Sequence, residues 1–295
     1  MTIHGAHRRA LSLIEVVVVI AVIVVVVAIA VPAIIGIRQV AYQTASKNNV
    51  KQIVLGLHGY ANDNRGRFPS IGFQKTVTFG DQMVTVVPEQ GRSIHLSILP
   101  YIDGTASDGE YLPFFTSPAD PTADMAQSSD WRASSYAANV EAFAIGGVFP
   151  TAFKDGISNT IVFAEHYAVC GDYRFDYALD QAYSPFAFLT VDYDRFSPPG
   201  GLRRATFADQ LDNGPATSGN PPVSTDGWGM GVTFQAAPSV ANCDWRLAQT
   251  PHSNGMVVGM ADGAVRILSP GISPETYWAL VTPAGGEILG PDWID

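Results

Sequence analysis

The apolar and polar positions divide the chain into stretches of different character. From Val16 to Ile37, 22 consecutive residues carry no charged or amide side chain. As a helix rising about 1.5 Å per residue, that run would be roughly 33 Å long, enough to cross a hydrocarbon core of about 30 Å. Its Val and Ile residues favour strand in water. In lipid only a helix or a closed barrel satisfies the backbone, so the run predicts a membrane helix.

A second pattern follows. Val50, Ile53, Val54, Leu57 and Ala61 recur at spacings of three and four, the stripe of an amphipathic helix, with Arg38, Gln43, Lys47, Asn48, Lys51 and Gln52 around it. Asn62-Asp63-Asn64-Arg65-Gly66 then supplies turn formers and a glycine to stop it. From residue 70 the runs shorten: Val77-Thr78-Phe79 and Met83 to Val87 alternate with Gly, Pro, Ser and Asp, which predicts strands and turns. Ser93 to Tyr101 predicts a short helix stopped by Pro100. Asp155-Gly156 predicts a turn, with Ser158 and Asn159 able to bond nearby backbone, before a buried strand from Thr160 to Ala164. Met256 to Met260 and Ala264 to Leu268 predict two strands joined at Asp262-Gly263, a strong hairpin signal. Gly263 is expected at positive φ, with His252 near the base of the hairpin as a structural hydrogen-bonder. The fold class expected is α+β: a long N-terminal helix, half in lipid and half amphipathic, on a strand-rich domain.

Residues 166–250 are the least patterned. Ser197-Pro198-Pro199-Gly200-Gly201 and Ser218-Gly219-Asn220-Pro221-Pro222 are expected as loops, and Tyr173, Phe175, Tyr177, Phe186 and Phe188 as partly packed. At 295 residues the chain can hold one large or two modest domains. A net charge of −10 without a local basic patch argues against nucleic acid as a partner. Cys170 and Cys243 both follow the apolar run and are either a disulfide pair or two buried thiols.

Three residues could do acid/base work: Glu165, His252 and Asp262. No nucleophile elbow, Cys-His signature or zinc-spaced histidine cluster accompanies them, so the chain is not expected to be an enzyme, a periplasmic hydrolase being the form such an activity would take. Aspartate loops at Asp120-Asp124 and Asp192-Asp194 raise a tethered binding module for calcium or a surface glycan, though neither has the ligand pattern of an EF-hand. His58 is expected to pack or cap. No cofactor, metal or small-molecule substrate is indicated.

Arg8-Arg9-Ala10-Leu11-Ser12-Leu13-Ile14-Glu15, leading into the apolar run, resembles the prepilin cleavage site of type IV pilins and type II secretion pseudopilins. The resemblance implies a prepilin peptidase cutting between Ala10 and Leu11, which makes Glu15 the fifth residue of the mature chain. Ala10 in place of Gly and Leu11 in place of Phe depart from the family pattern. Pro32 falls where many pilins carry a helix-interrupting proline. A secretory signal peptide would have a shorter apolar region followed by its cleavage site. Arg8 and Arg9 before the run are balanced by Arg38, Lys47 and Lys51 after it, so orientation comes from the resemblance and not from charge. The implied organisation is a leader over 1–10, a transmembrane and assembly helix over 11–37, its amphipathic continuation over 38–64, and an extracytoplasmic β-rich domain over 65–295. The N-terminus would lie in the cytoplasm and the partners would be the prepilin peptidase, the inner membrane and other pilin-like subunits. In such subunits the carboxylate corresponding to Glu15 pairs with the N-terminal amine of a neighbour.

Further segments resemble one large bacterial prepilin-type family whose remaining domain has no assigned function. They are Lys47 to Ile53, Leu57 to Tyr60, Arg67-Phe68-Pro69, Asp155 to Glu165, Thr282 to Glu287, and His252 set nine residues before Asp262-Gly263, its H-x(9)-DG box. Phe114 to Pro121 stands where the family often has Cys-Pro-Ser-Asp-Pro, with Ser117 replacing the cysteine. The function implied is that of a pseudopilin-like structural subunit.

Overall fold

The computed structural model describes residues 13–69, 75–79, 82–86, 93–103, 112–127, 133–144, 148–171, 173–176, 202–204, 206–207, 233–245 and 247–293. The apolar run and the amphipathic stripe form one helix, α1, Leu13–Asp63. One missing backbone bond at Pro32 does not divide it. Its first part is long and apolar enough to cross a membrane, and its large side chains there are exposed. The chain divides between Ala41 and Tyr42 into two compact units. At the far end Asn64 N–H donates to Tyr60 O at 3.0 Å and Gly66 N–H to Ala61 O at 2.8 Å. Gly66 has the positive φ expected of a helix stop, but Arg65 precedes it at φ 57, a position the sequence gives no sign of.

Next come β1 (Lys75–Phe79), β2 (Gln82–Val86), α2 (Ile94–Ile102), α3 (Ala123–Gln127), β3 (Tyr136–Asn139), α4 (Val140–Ala144) and β4 (Ile161–Glu165). The chain continues through β5 (Val169–Cys170), β6 (Tyr173–Asp176), β7 (Leu202–Arg204), β8 (Thr206–Phe207), β9 (Gln235–Ala236) and β10 (Gln249–Thr250). It closes with β11 (Met256–Met260), β12 (Val265–Leu268) and α5 (Pro274–Val281). Pro100 lies inside α2 and does not stop it. It stands so near the end that only one bond is lost, and Asp103 N–H still reaches Leu99 O at 3.0 Å. Ser93 caps that helix, its Oγ accepting from Leu96 N–H at 3.1 Å.

The main sheet has the order β12-β11-β4-β3-β8, antiparallel except for the β3–β8 pair. β3 and β11 alternate between two buried clusters, as a period of two demands, whereas in β4 the adjacent Val162 and Phe163 share one cluster, beside the register shift between Gly259 and Met260. Val257, Val162, Tyr136 and Ala138 join the cluster containing Val50, Ile53, Val54 and Leu57 of α1. Met256, Val258, Met260, Ile161 and Ala164 join the cluster containing Tyr277, Trp278, Leu280 and Val281 of α5. With helices on both faces, β11 is apolar throughout and β4 is buried along its whole length, Glu165 being its one charged residue. The four α1 side chains are each 0% exposed, and burying them contributes roughly 6–12 kcal/mol as an upper estimate. The α+β class is as read from the sequence.

Tyr177, Phe186, Phe188, Asp192, Asp194 and the two expected loops at 197–201 and 218–222 lie outside the described residues. So do Ala10 and Leu11. Cys170 and Cys243 form a disulfide with a Cα–Cα distance of 5.5 Å.

Candidate functional site

The apolar stripe of α1 brings its flanking polar residues down onto the sheet. Ser46, four residues before Val50, lies over the end of β4 and donates to Glu165 Oε1 at 2.5 Å. Thr250 Oγ1 donates to Glu165 Oε2 at 2.6 Å, and Val257 N–H to the same oxygen at 3.0 Å. His252 Nε2 stands 3.4 Å from Oε1. Glu165 is 0% exposed, and so are Ser46 and Thr250. Desolvating a carboxylate costs several kcal/mol, which these donors offset. The network continues outward: Tyr136 Oη donates to Ser46 Oγ at 3.1 Å, and Asn49 Nδ2 donates to Tyr136 Oη and Thr116 O, both at 3.2 Å. Burial, followed by the charge of Glu165, pushes the Tyr136 phenol well above its ordinary range.

Two more contacts join α1 to the His252–Gly263 box. Gln43 and Asn254 exchange reciprocal amide hydrogen bonds of 3.0 and 3.1 Å. Lys51 Nζ donates to Gly263 O at 2.7 Å. Between them the valine side chains of α1 come close to the backbone of β11 because residue 259 is glycine. A Cβ there would lie 2.5 Å from Val54 Cγ2 and 3.0 Å from Val50 Cγ1. The hydrophobic pattern along the chain does not mark Gly259. An isolated glycine in a strand is the signal that could have found it.

The hairpin is real but is not a two-residue turn. Met260 N–H donates to Ala264 O at 2.8 Å and Gly263 N–H to Met260 O at 3.0 Å. Gly263 has φ 90, whereas Asp262 is not among the described residues with positive φ. This is the three-residue loop with a left-handed glycine last. Asp262 is exposed and bonds Ala264 N–H at 2.8 Å. The loop is tied to the other family-like segment: Asp262 N–H donates to Ile157 O at 3.0 Å and Ala261 N–H to Thr160 O at 2.9 Å. Asp155 in turn accepts from Gly285 N–H at 2.7 Å and Gly286 N–H at 3.0 Å. Asn159 Nδ2 donates to Asp155 O at 3.1 Å, while Ser158 is exposed. The sequence segments noted at Asp155, His252 and Thr282 are thus hydrogen-bonded together.

The three candidate acid/base residues do not assemble. Glu165 and His252 meet, but Asp262 stands at the opposite end of β11, a five-residue strand of about 17 Å. The aspartate loop at Asp120 is also otherwise engaged. Its carboxylate, 6% exposed, takes Ser135 Oγ at 2.6 Å, Thr122 Oγ1 at 2.6 Å, Thr122 N–H at 2.8 Å and Ala168 N–H at 2.8 Å. Asp124 is exposed, and among the described residues no group of three or more His, Cys, Asp or Glu is placed to hold a metal. Burial raises the Asp120 pKa against the pull of those donors. Ser117, in the place of the family cysteine, is 1% exposed and receives Ala119 N–H at 3.4 Å. His58 packs edge-on against Phe68 at 5.9 Å and Phe149 at 5.1 Å, and burial lowers its pKa.

What this arrangement does chemically is to fix one position of α1. Apolar side chains alone tolerate sliding, whereas a one-turn slip of about 5.4 Å would take Ser46 away from Glu165. Comparison with protein-family models, curated proteins and solved structures returned no match.

Proposed function

We propose that the chain is a pseudopilin-like structural subunit. After prepilin processing α1 holds it in the cytoplasmic membrane, with the domain outside, until it joins other pilin-like subunits in a filament of the type II secretion or type IV pilus kind. The observation that carries this reading is the composition of α1 itself. One helix has an exposed apolar first part with Glu15 in its first turn, and a later part built into the domain core by Val50, Ile53, Val54 and Leu57. A subunit that assembles through its helix needs both. The polar residues around Glu165 also support a structural role over a hydrolytic one, because their hydrogen bonds are spent on holding α1.

Processing is the test. Coexpression with a prepilin peptidase is expected to yield a membrane protein beginning at Leu11, read by intact mass or N-terminal analysis. Retention of Met1 in the presence of an active peptidase would overturn the proposal.

A further inference from the structure

Residues 235–247 lie at the domain surface, held by hydrogen bonds within the stretch, Gln235 Nε2 to Asn242 O at 3.1 Å and Asp244 N–H to Gln235 Oε1 at 2.7 Å, and by partly buried Ala236, Cys243 and Trp245 packed against the two clusters. Among the described residues of that stretch none is buried, although Phe234 before it and Ala248 after it are. β9 and β10 are two residues long and pair with each other through Gln235↔Gln249 and Ala236↔Thr250. Apolar burial along the segment is thus partial, and stretches of this kind open locally at lower cost than the core. Two links bind it to the residues after β4. One is the Cys170–Cys243 disulfide, which spans a sequence separation of 73, and the other is Tyr167 Oη donating to Pro238 O at 2.9 Å. The segment leads directly into Gln249, whose Oε1 accepts from Tyr167 N–H at 3.2 Å, and into Thr250, which donates to Glu165.

We propose that Cys170 and Cys243 form a redox-set fastener. Oxidation closes residues 235–247 onto β5 and the residues between β4 and β5, and reduction opens that segment while α1 stays packed. In the closing step one thiolate attacks a disulfide-bearing oxidant and forms a mixed disulfide. The second thiolate then displaces the oxidant's remaining sulfur, so that two thiols lose two protons and two electrons and the oxidant leaves as a dithiol. The chain would carry an open segment in a reducing compartment and close it on reaching an oxidising one. The inference concerns the domain alone and stands whether or not the chain assembles.

Amide hydrogen exchange on the full chain in detergent tests it, comparing oxidised protein, phosphine-reduced protein and the Cys170→Ser/Cys243→Ser variant. Cys170 is buried, so where phosphine does not reach the bond the serine variant carries the test. The amides of Gln235, Ala237 and Asp244 are expected to exchange at least about tenfold faster without the bond, while those of Ile53 to Leu57 change by less than about threefold. Two results overturn the proposal. One is an unchanged rate over 235–244, which means the segment holds without its fastener. The other is equal acceleration at Ile53 to Leu57, the outcome also of a chain that fails to fold, which makes the bond a brace for the whole domain.

Discussion

Gly259→Ala tests the seating of α1 on β11 directly. In a strand, alanine is ordinarily favoured over glycine by roughly 0.5–1 kcal/mol. Here the added methyl would sit 2.5 Å from Val54 Cγ2 and 3.0 Å from Val50 Cγ1, both side chains 0% exposed. Valine in a helix has one strongly preferred rotamer, so neither side chain can swing aside cheaply. Overpacking of this kind costs about 1–3 kcal/mol, leaving a net destabilisation of roughly 1–2 kcal/mol. Val54→Ala removes the methyl that clashes and by itself leaves a cavity. The double variant should be more stable than the sum of the two single changes predicts, by a coupling of about 0.5–2 kcal/mol. Urea melts of residues 38–295, a fragment containing the whole compact unit from Tyr42 to Asp295, give all four corners of the cycle. Strictly additive losses would mean that α1 does not lie against Gly259, and the docking geometry would be refuted.

Two further outcomes are expected from the same fragment. Gly263→Val should cost about 1–3 kcal/mol through backbone strain at φ 90, since a Cβ there would meet only His58 Nε2 at 3.5 Å and its neighbours; His252→Gln should cost less, and an unchanged melt for Gly263→Val would refute the turn. His95 is 2% exposed, its ring against Phe115 and Phe163 and its Nε2 donating to Tyr136 O at 2.8 Å, and burial lowers its pKa from 6.5 to about 4. The unfolded chain then binds the extra proton first, so stability is full above pH 6.5 and falls by about 3 kcal/mol as the pH drops towards 4. His95→Gln should flatten that slope, and identical slopes in the two proteins would remove His95 as its source.

The sequence by itself determined the elements whose cause is local. The uninterrupted Val and Ile run and the stripe from Val50 to Ala61 specify a helix, because apolar spacing sets which face is buried before any partner is known. Asp262-Gly263 specifies a turn, because glycine adopts positive φ without steric cost. Tertiary structure decided everything that depends on partners distant along the chain. Glu165 reads as a lone carboxylate at the end of a strand, and its meaning comes from Ser46 and Thr250, 119 and 85 residues away. Pairing Cys170 with Cys243 required a Cα–Cα distance that spacing does not give. Gly259 carries no signal of what crosses it, and the choice of glycine follows only when Val50 and Val54 arrive above it. Hydrophobic period fixes a face, whereas hydrogen bonds and close approach between elements are fixed by where the chain returns.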